Sequence, residues 1–294
     1  MGQSSERVVT MKKFFRIIKL FLAFCFIIFL SSALILVHSR YIAPYDFGYK
    51  TTVIQSTNIK DSADGLKIIE FGDTHLGHYY TLAQFSKVVD AINAQKPDLV
   101  FFAGDLIDIF QSYTENTVVL SALLSKIQAP YGKYCVYGNH DYGGGAEREY
   151  PKIMKNGGFH LLVNKNSFID SIKINVIGID DVLIGYGDVT AAKKTREDYY
   201  NIVLAHEPDI ADAISPYQVD LMLSGHTHGR QINIKYFDNY ILPPYGKHYV
   251  EGLYQFDGPR KMVLYVTPGI GTTQIPVRFN SKPEISVFLL KKIL

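Results

Sequence analysis

A chain of 294 residues, 47% of them hydrophobic, is long enough for one or two domains with a sizeable core. The formal net charge of +2 indicates no particular class of charged partner. The two cysteines, Cys25 in an apolar run and Cys135 in a predicted strand, predict no disulfide framework.

An uncharged apolar run occupies residues 20–37, about the length that a helix needs to cross a bilayer. Only Arg40 follows the run closely, whereas four basic residues precede it: Lys12, Lys13, Arg16 and Lys19. The positive-inside rule therefore predicts a single-pass anchor with a cytoplasmic N-terminus and the remaining chain on the extracytoplasmic side. A cleaved signal peptide is the alternative, but Ser31-Ser32-Ala33 is a poor cleavage site within a continuing apolar run.

The predicted organisation is a basic tail over 1–19, the anchor over 20–38, a linker over 39–50 and one domain over 51–294. Apolar residues at helical spacing predict three helices in the first half of this domain, over 81–95, 117–127 and 150–156. Apolar runs around them predict strands over 51–58, 66–71, 98–103 and 133–137.

The second half predicts one polar-faced helix, over 190–200, among short strands. These strands are expected over 159–163, 167–169, 173–179, 201–205, 220–224, 231–234, 253–256, 261–266 and 285–290. The pattern predicts a layered α/β fold, a β-rich sandwich flanked by helices with one continuous core.

Five of the predicted strands run into loops that begin with acids, amides or histidines. The polar residues at these strand ends are Asp73 and His75, Asp105 and Asp108, Asn139 and His140, His206, and His226 and His228. Ligands of open α/β sheets bind beyond the carboxyl ends of the strands. The pattern therefore predicts one site that is assembled from five loops.

Carboxylates and imidazoles together, without a thiol, suit Mn, Fe, Zn or similar divalent ions. The residues are too many for one ion, but they suit two ions roughly 3.5–4 Å apart that share a carboxylate. If the first strand continues, side-chain alternation places Asp73 and His75 on the same side, and likewise His226 and His228. Glycines such as Gly72 allow the tight turns that such loops need.

The five blocks, in this order, resemble the calcineurin-like metallophosphoesterase superfamily. They are Gly72-Asp73-Thr74-His75, Gly104-Asp105-Leu106-Ile107-Asp108, Gly138-Asn139-His140-Asp141, Ala205-His206-Glu207-Pro208 and Gly225-His226-Thr227-His228. Residues 278–285 and Gln231 resemble its membrane-associated, YkuE-like branch. The resemblance spans roughly residues 66–290 and implies a four-layer α/β/β/α sandwich.

The resemblance also implies a centre of two divalent metal ions, which are Mn, Fe, Zn or a mixed pair. Asp105 would bridge the two ions. One ion would be held by Asp73, His75 and His228, and the other by Asn139, His206 and His226.

The catalytic roles implied by the resemblance fall on two further residues. His140 would protonate the leaving oxygen, and Asp108 would orient His140 and stabilise its charge. A hydroxide that bridges the two metals would attack phosphorus in line. Arg230 and His78 are weaker candidates for substrate contact, and an ordinary surface position is the alternative for both.

These features predict a membrane-anchored phosphohydrolase that acts on a phosphorylated small molecule or lipid, including lipid-linked and nucleotide-sugar-lipid substrates. One alternative is a UDP-2,3-diacylglucosamine pyrophosphatase of lipid A synthesis, although its cytoplasmic active site conflicts with the predicted topology. The other is a non-catalytic metal-binding interaction protein on the same fold. No basic stripe supports a nucleic-acid partner, and the oligomeric state stays open.

Overall fold

The structure, a computed structural model, describes residues 2–234 and 242–293, with side chains from residue 11 onward. The two ends of the predicted domain ranges, residues 1 and 294, lie outside the described residues. Contacts within the chain divide it into two units, Met1–Ile42 and Ala43–Leu294.

The first unit is the helix α1, Gly2–Tyr41. Among the described residues, the segment Met11–Tyr45 is long and apolar enough to cross a membrane. Its apolar residues are not confined to one face of the helix, a distribution that suits a helix surrounded by lipid. This agrees with a single-pass anchor over the predicted apolar run.

The second unit contains two six-stranded mixed sheets in its described part. The first sheet has the order β1-β12-β2-β3-β4-β5, in which β2, β3, β4 and β5 are parallel neighbours. Its strands are β1 (Gly48–Ser56), β2 (Lys67–Phe71), β3 (Leu99–Phe102), β4 (Lys133–Cys135), β5 (His160–Leu161) and β12 (Glu284–Lys292).

The second sheet has the order β10-β11-β9-β8-β7-β6, in which β7, β8, β9 and β11 are parallel neighbours. Its strands are β6 (Lys165–Ile169), β7 (Ile174–Gly178), β8 (Tyr200–Leu204), β9 (Leu221–Ser224), β10 (Gly252–Gln255) and β11 (Val263–Val266). The helices of this unit are α2 (Leu82–Ala94), α3 (Thr117–Ser125), α4 (Asn139–Gly143), α5 (Tyr150–Asn156) and α6 (Ala211–Ile214).

Three buried apolar layers hold the second unit together. Phe71 and Phe102 pack with Phe85 of α2 on the helix-covered face of the first sheet. Alternate residues of the same strands point the other way, so Phe101 packs with Leu204 and other residues between the two sheets. The outer face of the second sheet packs against short helices, with residues such as Val203, Met222 and Ile214. The four-layer α/β/β/α prediction is confirmed, but the two sheets divide the expected single core into three layers.

The helices predicted in the first half are confirmed to within a few residues. Thr81 caps α2 through a reciprocal pair of hydrogen bonds with Gln84, an arrangement that satisfies two free amides at the helix start. The predicted bounds of α5 agree with the observed Tyr150–Asn156.

Two predicted elements of the second half are wrong. The helix over 190–200 is instead a 3-10 helix, Val189–Lys193, after which Lys194 leaves helical geometry and β8 begins at Tyr200. The strand over 231–234 is absent from the described residues except for one bridge between Ile232 and Phe279. Arg230 and Gln231 have φ values of 71° and 55°, which an extended strand cannot accommodate.

Candidate metal centre

The predicted site residues converge at the carboxyl ends of parallel strands from both sheets. Asp73, Asp105 and Asn139 follow β2, β3 and β4 of the first sheet, whereas His206 and His226 follow β8 and β9 of the second. The topology therefore places one group of loops opposite the other across the sandwich edge.

Left-handed backbone conformations are concentrated in these loops. Asp73, His75, Asp105, His226 and His228 have φ values of 50°, 43°, 58°, 73° and 51°. Such values are uncommon for residues other than glycine and are characteristic of functional sites. The expected strand alternation is therefore wrong, since β2 ends at Phe71 and the ligand pairs are brought together by turns.

The first predicted ligand group, Asp73, His75 and His228, is compact and buried. One ligand atom from each lies within 4.8 Å of the others. Nε2 of His75 lies 3.0 Å from Nε2 of His228, and Nε2 of His228 lies 3.9 Å from Oδ1 of Asp73. A Cβ on Gly225 would lie 2.4 Å from Oδ2 of Asp73, so a larger residue there would displace this carboxylate.

The second group surrounds His206. Its Nε2 lies 3.2 Å from Oδ1 of Asn139 and 3.3 Å from Oδ2 of Asp105. The same Asp105 oxygen lies 3.4 Å from Nε2 of His75 in the first group. Asp105 thus occupies the position between the two groups. His226 is adjacent, because its ring lies 4.8 Å from that of His206.

Hydrogen bonds to backbone carbonyls fix two of the imidazoles, those of His206 and His226, so that their other ring nitrogen is available to a cation. Nδ1 of His206 lies 2.6 Å from the Ala103 carbonyl and donates to it, so Nε2 faces the oxygens of Asn139 and Asp105. Burial disfavours the charged imidazole, but the charge of Asp105 outweighs burial and raises the pKa of His206 well above its ordinary value. A cation at Nε2 would replace that proton. Nε2 of His226 likewise donates to the Pro244 carbonyl, at 2.8 Å, and leaves Nδ1 unprotonated. Nδ1 of His228 is buried and has no hydrogen-bond partner among the described residues. Unprotonated imidazole nitrogens and carboxylate or amide oxygens that face one another repel unless a cation lies between them. The arrangement therefore fits bound cations.

Burial favours the neutral form of two imidazoles, and neighbouring charge favours the ionised form of Asp105. Burial lowers the pKa of His226 to about 4 and that of His228 well below its ordinary value, so both imidazoles are neutral. Burial alone disfavours the Asp105 carboxylate, but the charges of His206 and His75 outweigh it and hold the pKa of Asp105 well below its ordinary value. This His/Asp cluster fits divalent metal ions.

The predicted catalytic pair lies beside the first group. Oδ1 of Asp108 lies 3.1 Å from Nδ1 of His140 and 3.1 Å from Nδ1 of His75. Burial lowers the pKa of His140, but its hydrogen bond with Asp108 and the charge of Asp105 outweigh burial and raise it to about 9. The imidazole is therefore charged at neutral pH.

The two weaker candidates differ in position. Arg230 lines a cavity of about 510 Å³ that also contacts Asp105, Asn139, His140, His226 and His228. His78 is exposed, lies against the ring of Tyr79, and is not among the residues that line this cavity.

Sequence reasoning missed several residues that support the site. Arg278 is fully buried and donates to the carbonyls of Gly271 and Pro268, at 2.6 and 2.8 Å. Gly271 in turn donates its backbone N–H to Asp73 O at 2.7 Å, which links Arg278 to the first ligand loop. No local pattern could indicate these contacts, because they join loops that are distant in the sequence.

The position of two further acids, Asp180 and Asp181, directly after a predicted strand could have indicated them as site residues. Asp180 and Asp181 are buried and follow β7 as the predicted ligands follow their strands. Asp180 accepts from Tyr142 of α4 at 3.0 Å, and Asp181 accepts from the backbone of Ile184 at 2.6 Å. Asp141, the last residue of the third sequence block, accepts from the backbone N–H groups of Gly138, Asp105 and Leu106. It therefore joins two ligand loops.

Comparison with known proteins agrees with this geometry. The profile of the calcineurin-like phosphoesterase family matches residues 66–230, more than half of the chain. The metallophosphoesterase YkuE of Bacillus subtilis is 42% identical over 258 residues, which cover 86% of this chain and 89% of YkuE. The phosphodiesterase YaeI of Escherichia coli is 30% identical over 235 residues, which cover 79% of this chain and 84% of YaeI. This chain therefore belongs to the calcineurin-like metallophosphoesterases, in their YkuE-like branch, and is a metal-dependent phosphohydrolase.

Proposed function

We propose that this chain hydrolyses a phosphoester or phosphoanhydride with two divalent cations held at the strand ends. The observation that carries the proposal is the position of Asp105, whose Oδ2 lies 3.4 Å from Nε2 of His75 and 3.3 Å from Nε2 of His206. One carboxylate oxygen between two imidazoles supports a shared ligand of two ions. The ligand sets are Asp73, His75 and His228 on one side and Asn139, His206 and His226 on the other.

When bound, such ions neutralise charge on the phosphoryl oxygens and activate water for attack. The side chains complete the reaction around them. Nδ1 of His140 lies 3.0 Å from the Asp108 carbonyl and donates to it, which leaves Nε2 to hold the proton for the leaving oxygen. Nε2 lies 3.5 Å from Oγ1 of Thr273, and both residues line the cavity. Asp108 keeps this imidazole oriented and charged.

The apolar α1 helix supports a substrate at the bilayer. Basic residues before the apolar run, and Arg40 alone close behind it, support a cytoplasmic N-terminus and an extracytoplasmic catalytic unit. A phosphorylated lipid or a nucleotide-sugar lipid is the substrate that such an anchor favours. YaeI is named a phosphodiesterase, which supports diesters among the substrates to be tested.

The direct test is a substrate panel with the purified full-length chain, loaded separately with Mn, Fe, Zn and Mg. The panel contains a monoester, a diester, a phosphorylated lipid and a nucleotide-sugar-lipid pyrophosphate. We expect hydrolysis that chelators abolish. His140→Ala should lower kcat about 10²–10⁴-fold, whereas His160→Ala, on exposed β5, is a matched control that should not. Bound metal without turnover would instead favour the non-catalytic, metal-binding alternative.

The proposed topology has its own test. A reporter fused after residue 294 that is active only outside the cytoplasm should be active in intact cells. Activity of a second reporter, which is active only in the cytoplasm, would overturn the extracytoplasmic assignment and would favour the cytoplasmic pyrophosphatase alternative.

A further inference from the structure

The cavity beside the ligand cluster has an apolar wall, which the binding of a phosphate group does not explain. Its volume of about 510 Å³ lies in the range of sites for organic ligands, roughly 300–1,000 Å³. A phosphate group alone fills a small part of that space. Six apolar residues line part of the remainder, beside polar residues such as Arg230, Gln231 and Gln274: they are Leu183, Ile232, Leu242, Pro243, Pro244 and Ile275.

This apolar wall begins directly at the reactive groups. The Pro244 carbonyl accepts from Nε2 of His226 at 2.8 Å, so the proline segment is joined to a predicted ligand. On another side, Gln231 donates to the carbonyls of Thr273 and Ile275 at 3.1 and 2.9 Å. This contact fixes the loop of Ile275 beside His140. An apolar group bonded to the scissile phosphate would therefore meet the wall within a few bonds.

The loops that form the wall also expose large apolar side chains. Exposed fractions in these loops lie between 44% and 79% for Ile184, Tyr186, Ile234, Tyr245 and Ile275. Several such side chains around one charged site differ from the scattered apolar residues of an ordinary surface. Ile275 itself lines the cavity, and Ile184 and Tyr245 directly follow the wall residues Leu183 and Pro244 in the sequence.

We propose that this wall binds a hydrocarbon chain, alkyl or acyl, that is joined to the scissile phosphate of the substrate. The inference rests on the proposed phosphohydrolase function and adds the chemical class of the substituent. Each methylene that enters the wall leaves water, and its burial should tighten binding about two- to fourfold. The gain stops when the wall is filled.

The test measures binding separately from turnover. The full-length chain, loaded with Mn and held in nanodiscs, is titrated calorimetrically with alkylphosphonates from methyl to octyl. Kd should fall about two- to fourfold per methylene and then level off. Ile275→Ser should flatten this dependence. Leu253→Ser is the matched control, because Leu253 is 44% exposed on β10 and is not among the residues that line the cavity.

A Kd that does not depend on chain length in the wild type would overturn the inference, as would the same slope in Ile275→Ser and the wild type. Neither result would affect the proposed function, which fails only if the substrate panel shows no metal-dependent hydrolysis. If the hydrocarbon chain belongs to a membrane lipid, a phosphonate lipid embedded in the nanodisc should compete with the alkylphosphonates for binding. Competition by soluble chains alone would assign a soluble amphiphile.

Discussion

One carboxylate oxygen of Asp108 contacts two histidines. Its Oδ1 lies 3.1 Å from Nδ1 of His140 and 3.1 Å from Nδ1 of His75. Nδ1 of His140 also donates to the Asp108 carbonyl. Nδ1 of His75 forms its hydrogen bond with the Asp108 carboxylate. Asp108 therefore orients a predicted metal ligand as well as the predicted proton donor, a second role that the resemblance did not assign.

We therefore expect Asp108→Asn to weaken metal binding as well as turnover. Loss of a group that orients a ligand imidazole typically costs 10–100-fold in metal affinity. Calorimetric titration of the metal-free chain with Mn measures this loss. His140→Ala is the control, because it removes the proton donor but keeps the contact between Asp108 and His75. If Asp108→Asn binds Mn as tightly as the wild type, Asp108 acts through His140 alone.

The convergence of the site residues at the strand ends could be predicted, whereas the local geometry could not. The five strand-end blocks indicated Asp73, Asp105 and His206 because acids and histidines at such ends are chemically informative. The turns that join Asp73 to His75 depend on left-handed backbone values, which are imposed by the surrounding loops. Arg278 was missed for a related reason, since its partners lie in separate loops.

Lys133 joins an internal strand to two helix ends. Its Nζ donates to the carbonyls of Leu124, in α3, and Gly157, after α5, at 2.9 and 2.6 Å. A cation at helix C-termini stabilises the carbonyls that lack helical partners. The amine is buried, and this burial lowers the pKa of Lys133 to about 8.

Lys133→Met should destabilise the second unit by about 1–3 kcal/mol at pH 7, because two buried carbonyls lose their donor. The difference should grow with pH. Between pH 8 and 10.5 the folded wild type has released the proton that the unfolded chain still binds, so wild-type stability rises relative to the variant, by up to about 3 kcal/mol. Urea unfolding of both chains in detergent measures this, and a constant difference from pH 7 to 10 would contradict it.

Elements with strong local signals were predictable, and elements decided by tertiary contacts were not. Apolar residues at helical spacing predicted α2 and α3 to within a few residues. The segment over 190–200 has helix-forming residues, but Ala191 and Ala192 are buried against the second sheet in a single 3-10 turn. Pairing of β8 with β7 from Tyr200 onward prevents the helix from continuing.

At the scale of the whole molecule, the catalytic unit contains its own core. The residues of all three apolar layers lie between Tyr45 and Val287 or Leu290. The described ligand residues also lie within Ala43–Leu294. Stability of this unit should therefore depend little on α1, whose apolar side chains from Met11 to Val37 are largely exposed in the isolated chain.

A chain that begins at residue 43 should therefore fold and keep the site, while losing attachment to the bilayer. We expect its kcat/KM for a soluble diester to lie within about twofold of the full-length value. If α1 contributes less than RT to the transition state of a soluble substrate, its removal changes the rate less than threefold. Its activity towards a substrate embedded in vesicles should fall at least tenfold, because α1 no longer holds the two at high effective concentration. Vesicle flotation and paired assays on both substrates measure the two effects. Equal losses on both substrates would show that α1 stabilises the catalytic unit itself, and no loss on the embedded substrate would remove the anchor from the proposed function.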